Sequence, residues 1–278
     1  MILVTGATGN IGRELIGQFV ERGKRVRVLV RDERRAASLF GKVDPLIGDL
    51  DRIETLSPAM QGVEKLFLVT PDTKQVANLL EAAKLAGVKH VVKVSTIEAD
   101  RSLGPGKWHR QQEELIKSNG FKWTFLRPTM MMVNTIEWWS ETIKSQRAVY
   151  FPGGKGKLAP VDAKDVSIVA SAVLTEPGHE GRIYELTGPE SLTIGEMVEI
   201  LAKVLNKPLR YVNVPTILAA VWLRKFGMSR ELVQGLMETL GALRRNEYAY
   251  VTDCVQQVGG VTPRTFEHWC NENMGAFQ

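Results

Sequence analysis

An α/β fold built on a doubly wound parallel sheet, with a smaller, mainly helical C-terminal lobe, is predicted by three observations. The stretch Thr5-Gly6-Ala7-Thr8-Gly9-Asn10-Ile11-Gly12 stands between a short apolar run, Ile2-Leu3-Val4, and the segment Arg13 to Arg22, whose Leu15, Ile16, Phe19 and Val20 recur at helical spacing. Apolar strand-like runs and amphipathic stretches then alternate, separated by short turns, as far as Pro128. Beyond a final strand ending at Leu186 the pattern is mainly helical.

Taken in order, the first strand, turn and helix form an anion-binding unit. Gly6 lets the chain turn sharply, Gly9 removes a side chain that would hold a pyrophosphate off the backbone, and Gly12 lets the helix lie close to the strand. The N–H groups of the first helical turn face the anion. The second strand, Arg25 to Val30, ends at Arg31. A basic residue there suits a 2′-phosphate, whereas a carboxylate suits a free ribose. Asp32 reads either as that carboxylate or as the N-cap of a helix over Glu33 to Phe40, and its position before the helical pattern favours the cap. NADP(H) is therefore preferred over NAD(H), with Arg31 gripping the phosphate through its planar fork.

Val43 to Ile47 makes a third strand, followed by Gly48-Asp49-Leu50 at the edge where such sheets bind ligands. Asp49 is placed either as an acceptor for the adenine amino group or as a turn residue. A helix over Asp51 to Met60 leads to a fourth strand, Lys65 to Val69, which Pro71 stops, so that Thr70 and Pro71 lie at the cofactor edge. A helix from Lys74 to Ala86 follows, then a fifth strand, His90 to Val94, which delivers Ser95 and Thr96. Trp108 to Asn119 is the next helix and Lys122 to Leu126 the sixth strand, ending in Arg127-Pro128. Ala163 to Thr175 reads as a sheet-packing helix and Arg182 to Leu186 as a final strand. Thr193 caps a helix to Leu205, Val214-Pro215 introduces one to Phe226, Ser229 caps one to Arg245, and Thr262-Pro263 starts the last. The expected division is a cofactor-binding domain over residues 1–150, with 160–188 returning to its sheet, and a substrate lobe over 189–278.

At 278 residues, with 44% hydrophobic and 24% charged residues, the chain has the balance of a globular protein. No apolar run approaches the roughly 18 residues of a membrane span, and Met1 opens directly on strand-type residues, so a cytoplasmic protein with no membrane partner is expected. The formal charge of +5 is spread among acids, as in Arg31-Asp32-Glu33-Arg34-Arg35, which assigns it to solvated surface and an anionic cofactor rather than nucleic acid. Cys254 and Cys270 lack a zinc or redox spacing, and four scattered histidines make no local metal motif, so no metal is expected.

With the glycine-rich turn, Val-Leu-Val-Arg31, Gly48-Asp49, Val94-Ser95-Thr96 and Leu126-Arg127-Pro128 in this order, the chain resembles the atypical short-chain dehydrogenase/reductases. Within them it is most similar to the NmrA-like group, in its branch of bacterial NADPH-dependent quinone oxidoreductases and triphenylmethane reductases. The likeness is specific over roughly residues 1 to 190. It implies an NAD(P)-binding Rossmann fold, a cofactor site drawing on Thr5, Gly6, Thr8, Gly9, Asn10, Ile11, Gly12, Arg31, Asp49, Leu50, Thr70, Pro71, Ser95 and Asn134, and reductase activity. The wider family pairs a tyrosine with a lysine four residues on. Here the five tyrosines, Tyr150, Tyr184, Tyr211, Tyr248 and Tyr250, all fall after that region and none has the lysine. Chemistry that exchanges a proton with a hydroxyl as hydride moves is thereby disfavoured.

In the helix that would carry the pair, His109 aligns with the lysine, and Glu113 lies one turn on. His109 reads as a ribose partner or proton donor, or as a surface residue paired with Glu113. Ser95 and Thr96 either orient substrate and nicotinamide or simply end a strand. Asn134 either holds the dinucleotide or caps the helix containing Trp138. Met130, Met131, Met132, Trp138 and Trp139 are expected to line an apolar pocket for a flat acceptor, core packing being the alternative for each. The expected activity is hydride transfer from NADPH to an electron-poor quinone, conjugated or cationic aromatic, iminium or activated double bond. The partners are then a small apolar or aromatic substrate and, if the protein self-associates, a second copy in a homodimer. The alternative is an NAD(P)-binding redox sensor without turnover.

Overall fold

A computed structural model of the protein describes residues 1–32, 34 and 43–278. In chain order the strands are β1 (Ile2–Val4), β2 (Arg27–Val30), β3 (Asp44–Ile47), β4 (Lys65–Leu68), β5 (His90–Val94), β6 (Lys122–Pro128), β7 (Ala148–Phe151), β8 (Lys157–Leu158), β9 (Arg182–Leu186), β10 (Leu192–Thr193) and β11 (Arg210–Asn213). Seven of them form one sheet in the order β3-β2-β1-β4-β5-β6-β9, every pair parallel. The chain builds outward from β1 to β3, then returns to β4 and builds the other way. The order thus reverses between β1 and β4, and a crevice opens at their carboxyl ends.

Strand residues alternate between two apolar layers because successive side chains point to opposite faces. Val4, Val28, Val30, Phe67, Val92, Val94, Leu126 and Leu186 pack with Ile11, Leu15, Ile16 and Phe19 of the helix Asn10–Glu21 and with Val166, Val169 and Val173 of the helix Ala163–Thr175. Leu3, Leu29, Leu66, Leu68, Val91 and Phe125 face the helices Thr73–Leu85 and Gly106–Ser118 through Val76, Leu79, Leu80 and Ile116. Both faces are covered, which is why these strands read as continuous apolar runs.

A third apolar cluster lies beyond the sheet. Trp139 and Ile143 of the helix Asn134–Gln146 meet Ile194, Met197 and Leu201 of the helix Ile194–Leu205, together with Leu243, Phe266, Trp269 and Phe277. A capping box starts Ile194–Leu205: the Thr193 hydroxyl accepts from Glu196 N at 3.1 Å, and the Glu196 carboxylate accepts from Thr193 N at 2.7 Å. Parallel β7–β11 and antiparallel β8–β10 pairs add to this region. These strands of two to four residues and the helix Cys254–Gly259 are too short to show a period in sequence.

Several boundaries differ from expectation. The helix expected over Asp51 to Met60 is a 3-10 turn, Ile53–Thr55, and a separate short helix, Ser57–Met60. Pro58, at the start of the second piece, has no N–H to continue the first. The last helix begins at Phe266 behind a Thr265 cap rather than at Thr262-Pro263, because Arg264 N is drawn to Asp165 Oδ2 at 2.8 Å. Asn134 is the first residue of its helix and not a cap, since a turn bond from Asn134 N to Met131 O at 3.0 Å has already begun the spiral. Of the helix expected over Glu33 to Phe40, all but Arg34 lies outside the described residues. Among the described residues, no helix is long and apolar enough to cross a membrane.

Candidate active site

The glycine-rich turn is shaped by backbone contact. Gly6 has φ +65°, and a Cβ added there would stand 3.1 Å from Val69 Cβ. A Cβ on Gly12 would lie 2.1 Å from Gly6 O, so no other residue lets the helix come this close. Gly9 is the extended N-cap of Asn10–Glu21, its N–H bonded to Gly6 O at 2.9 Å, and no side chain caps this helix. Beside the turn is a cavity of about 260 Å³ at the strand-order reversal.

Of the residues anticipated for a cofactor, Thr5, Gly6, Thr8, Arg31, Leu50, Thr70 and Pro71 line this cavity. Gln75, Leu29, Val30 and Val69 join them without having been anticipated. Thr5 contributes backbone rather than hydroxyl: its Oγ1 donates to Phe67 O at 3.0 Å and accepts from Val69 N at 2.9 Å, joining β1 to β4. Asn10 is exposed at the helix start, and Ile11 is core. Asp49 does not line the cavity; its Oδ1 accepts from Asp51 N at 3.0 Å, the turn role.

Arg31 stands at the end of β2 with its side chain more than half exposed and its Nη2 3.8 Å from Asp51 Oδ2. Asp32 accepts from Arg34 N at 2.9 Å and is also held by the Arg34 side chain. Among the described residues, the cation lining this end of the cavity is Arg31. At the other end, Thr70 Oγ1 donates to Gln75 Oε1 at 2.6 Å, and Gln75 Nε2 reaches both Asp51 oxygens at 3.2 Å. A polar chain thus runs along the rim from Thr70 to Arg31. The turn, the uncapped helix and the basic rim together fit an NAD(P) pyrophosphate and a 2′-phosphate.

The ends of β5 and β6 hold a second set of polar groups. Ser95 Oγ donates to Glu113 Oε1 at 2.5 Å, and Arg127 closes on the same carboxylate with Nε–Oε1 3.0 Å and Nη2–Oε2 2.7 Å. Glu113 is fully buried and Arg127 nearly so. Thr96 donates to Glu98, whose carboxyl burial pushes up to about 6. The anticipated His109–Glu113 pair does not form. Glu113 faces the sheet, and His109 Nδ1 lies 3.2 Å from Nζ of Lys93. Burial, and then the Lys93 charge, push His109 down to about 3, so its imidazole is neutral. Burial pushes Lys93 down to about 7, partly opposed by Glu113. Lys93 was missed in the sequence, although a lysine inside the otherwise apolar run of β5 was its signal.

The remaining anticipated residues separate by burial. Met132 and Trp139 have no exposed surface and belong to the third core cluster, so packing and not pocket lining accounts for them here. Met130 and Met131 are partly buried, and Trp138 is exposed, stacked on Phe151 at 5.7 Å between centroids. Asn134 and Ser95 do not line the cofactor cavity. A second cavity of about 250 Å³ is lined by Gly104, Lys107, Trp108, Glu231, Gln234 and Gly235, where the helix Arg230–Arg244 faces the start of Gly106–Ser118. Burial raises both Tyr248 and Tyr250 well above the ordinary phenol range, the reverse of an activated tyrosine. Among the described residues, no cluster could hold a metal ion.

Comparison with known proteins agrees with this geometry. The family described as NAD(P)H-binding matches residues 6–177, and the chain belongs to it. The sequence is 35% identical to an NAD(P)H azoreductase of Xenophilus azovorans over the whole of this chain and 99% of the relative. Among solved structures, an NADPH-dependent quinone oxidoreductase of Escherichia coli in complex with NADPH superposes with a TM-score of 0.88 at 26% identity, covering 99% of this chain and 100% of the other. The triphenylmethane reductase of a Citrobacter species in complex with NADP(H) gives 0.85 at 25%, covering 98% and 99%.

Proposed function

We propose that this NAD(P)H-dependent oxidoreductase prefers NADPH and reduces an electron-poor small molecule, such as a quinone or a conjugated or cationic dye. The observation that carries the reading is the crevice itself. It is lined by the glycine turn, Arg31 and Thr70, and on the neighbouring β5 side of the sheet stand Ser95 and, from the helix Gly106–Ser118, His109 and Glu113, a hydroxyl, an imidazole and a carboxylate without an activated tyrosine. The cofactor supplies hydride when bound. Gly6, Gly9 and the first turn of Asn10–Glu21 hold the pyrophosphate, and Arg31 the 2′-phosphate. Ser95 and Thr96 orient the nicotinamide end, and His109 offers a proton to the reduced acceptor. Residues 189–278 form the far wall of the acceptor site, with Met130, Met131 and Trp138 near its entrance. Similarity to azo-dye, quinone and triphenylmethane reductases supports these acceptor classes.

The test is NADPH oxidation against a panel of quinones, azo dyes and triarylmethyl dyes, with NADPH binding measured in parallel. Turnover with any of them is expected. Tight binding with no turnover across the panel overturns the reductase reading in favour of an NAD(P)-binding regulator.

A further inference from the structure

β5 is buried from end to end, and its fourth residue is a lysine with no solvent exposure. Lys93 points to the same face of the sheet as Val91, a face otherwise filled by Leu66, Leu68, Leu79 and Phe125. An apolar side chain would fill this place without desolvating an ammonium. Nζ has two hydrogen-bond partners, Val94 O at 2.9 Å and His109 Nδ1 at 3.2 Å, neither of them a carboxylate. An ammonium only donates. Nδ1 must therefore accept, and the single proton of the neutral ring sits on Nε2.

We propose that Lys93 is a positioning residue for His109, holding its ring as the Nε2–H tautomer and replacing the proton that Nε2 gives up. This rests on the reductase reading, in which His109 faces the reduced acceptor. Hydride addition to a quinone leaves an oxyanion. The O–H bond forms as the Nε2–H bond breaks, while Nδ1 takes a proton from Nζ, leaving a neutral amine. Return of that proton from Nδ1 to Nζ, with uptake of one proton from water at Nε2, restores the pair. Each turnover then consumes one solvent proton.

The surrounding charges leave this task to Lys93. Glu113, one helical turn beyond His109, is occupied by the Arg127 fork from β6 and by Ser95, and Asp100 also faces Arg127. The neutral imidazole has no second proton of its own to give, whereas Lys93 ionises near neutrality.

The experiment uses the full chain labelled with ¹⁵N-histidine, with the His109→Gln spectrum to assign the ring. In the wild type a single Nε2–H tautomer is expected while Lys93 is charged, below about pH 7, with no protonation of the ring between about pH 5 and 8. In Lys93→Met both tautomers should appear and the ring should titrate at higher pH. Lys93→Gln, whose amide still donates, should keep the tautomer while lacking the exchangeable charge. An unchanged tautomer and titration in Lys93→Met overturn the proposal. If Lys93→Met does not fold, the Gln variant decides alone: loss of the Nε2–H tautomer overturns the proposal.

Activity supplies a second arm. Hydride addition to a triarylmethyl cation gives a neutral product that needs no proton. Both variants should therefore lose roughly 100-fold in kcat with a quinone and less than about threefold with the dye. Equal losses on both acceptors overturn the proton-supply role while leaving the reductase reading intact. A wild type inactive on both acceptors overturns the reductase reading, and the ring spectra still decide the Lys93–His109 coupling.

Discussion

Replacing Glu113 by glutamine should be among the most damaging conservative changes in the sheet. The carboxylate accepts from Ser95 Oγ, Arg127 Nε and Arg127 Nη2 at 2.5, 3.0 and 2.7 Å, in a place where Glu113 has no exposure and Arg127 has 3%. Glutamine keeps the shape but removes the charge and turns an amide NH2 toward the Arg127 Nη2 donor. Arg127 would keep one bond to the amide oxygen and Asp100 Oδ1 at 3.3 Å, a carboxylate that is itself well exposed, and lose its buried counter-charge. A buried charge stripped of its partner costs about 3–5 kcal/mol. At roughly 2–4 °C per kcal/mol for a chain of this size class, the melting temperature should fall by about 6–20 °C. Urea unfolding should give the same loss at constant m-value. Arg127→Met should be similarly costly, while Glu113→Gln with Arg127→Met should recover most of the loss because neither buried charge remains. A single Glu113→Gln variant melting within about 2 °C of wild type, or a double variant as unstable as the sum of the two, refutes this account.

Four further outcomes are expected. Arg31→Ala should weaken NADPH by about 10-fold or more, equivalent to a charge-assisted bond of at least 1.4 kcal/mol, and change NADH affinity little. Equal losses in titrations of both would assign the 2′-phosphate to another residue. Gly12→Ala should abolish tight dinucleotide binding in calorimetry, because its Cβ would stand 2.1 Å from Gly6 O and the turn must move; retained affinity would show that the helix can retreat. For Lys93, burial places the folded-state pKa at about 7 against an ordinary 10.5. Below about 7 both states carry the charge and the native state bears the full desolvation cost; between 7 and 10.5 the unfolded chain holds more protons, so stability rises with pH. Lys93→Met should be more stable than wild type near neutrality and lack that slope in urea titrations. Trp138→Ala should alter the range of acceptors with less than about 1 kcal/mol of destabilisation, whereas Trp139→Ala should cost about 3–5 kcal/mol because it empties a core site; comparable melting temperatures would contradict their difference in burial.

Much of this protein was legible in one dimension because the forces involved are local and periodic. β5, β9 and the helices Ala163–Thr175 and Ile194–Leu205 begin and end where the sequence pattern places them. Gly6 and Gly12 are marked by spacing, since a positive φ and a close backbone approach leave no room for a side chain. Arg31, Thr70 and Pro71 follow from the rule that strand ends line the crevice. Which polar groups meet was a different matter. Glu113 can pair with His109 along its own helix or with Arg127 across to β6. The β5–β6 register, Val94 opposite Leu126, together with helix packing on that face, selects Arg127 and leaves His109 to Lys93. Likewise Met132 and Trp139 are as apolar in sequence as Met131 and Trp138, and only the packing of the third cluster decides which pair is sealed. Periodicity says which face a residue occupies. Partner, burial and ionisation depend on what the rest of the chain brings to that face, and those neighbours come from distant elements whose register no local pattern records.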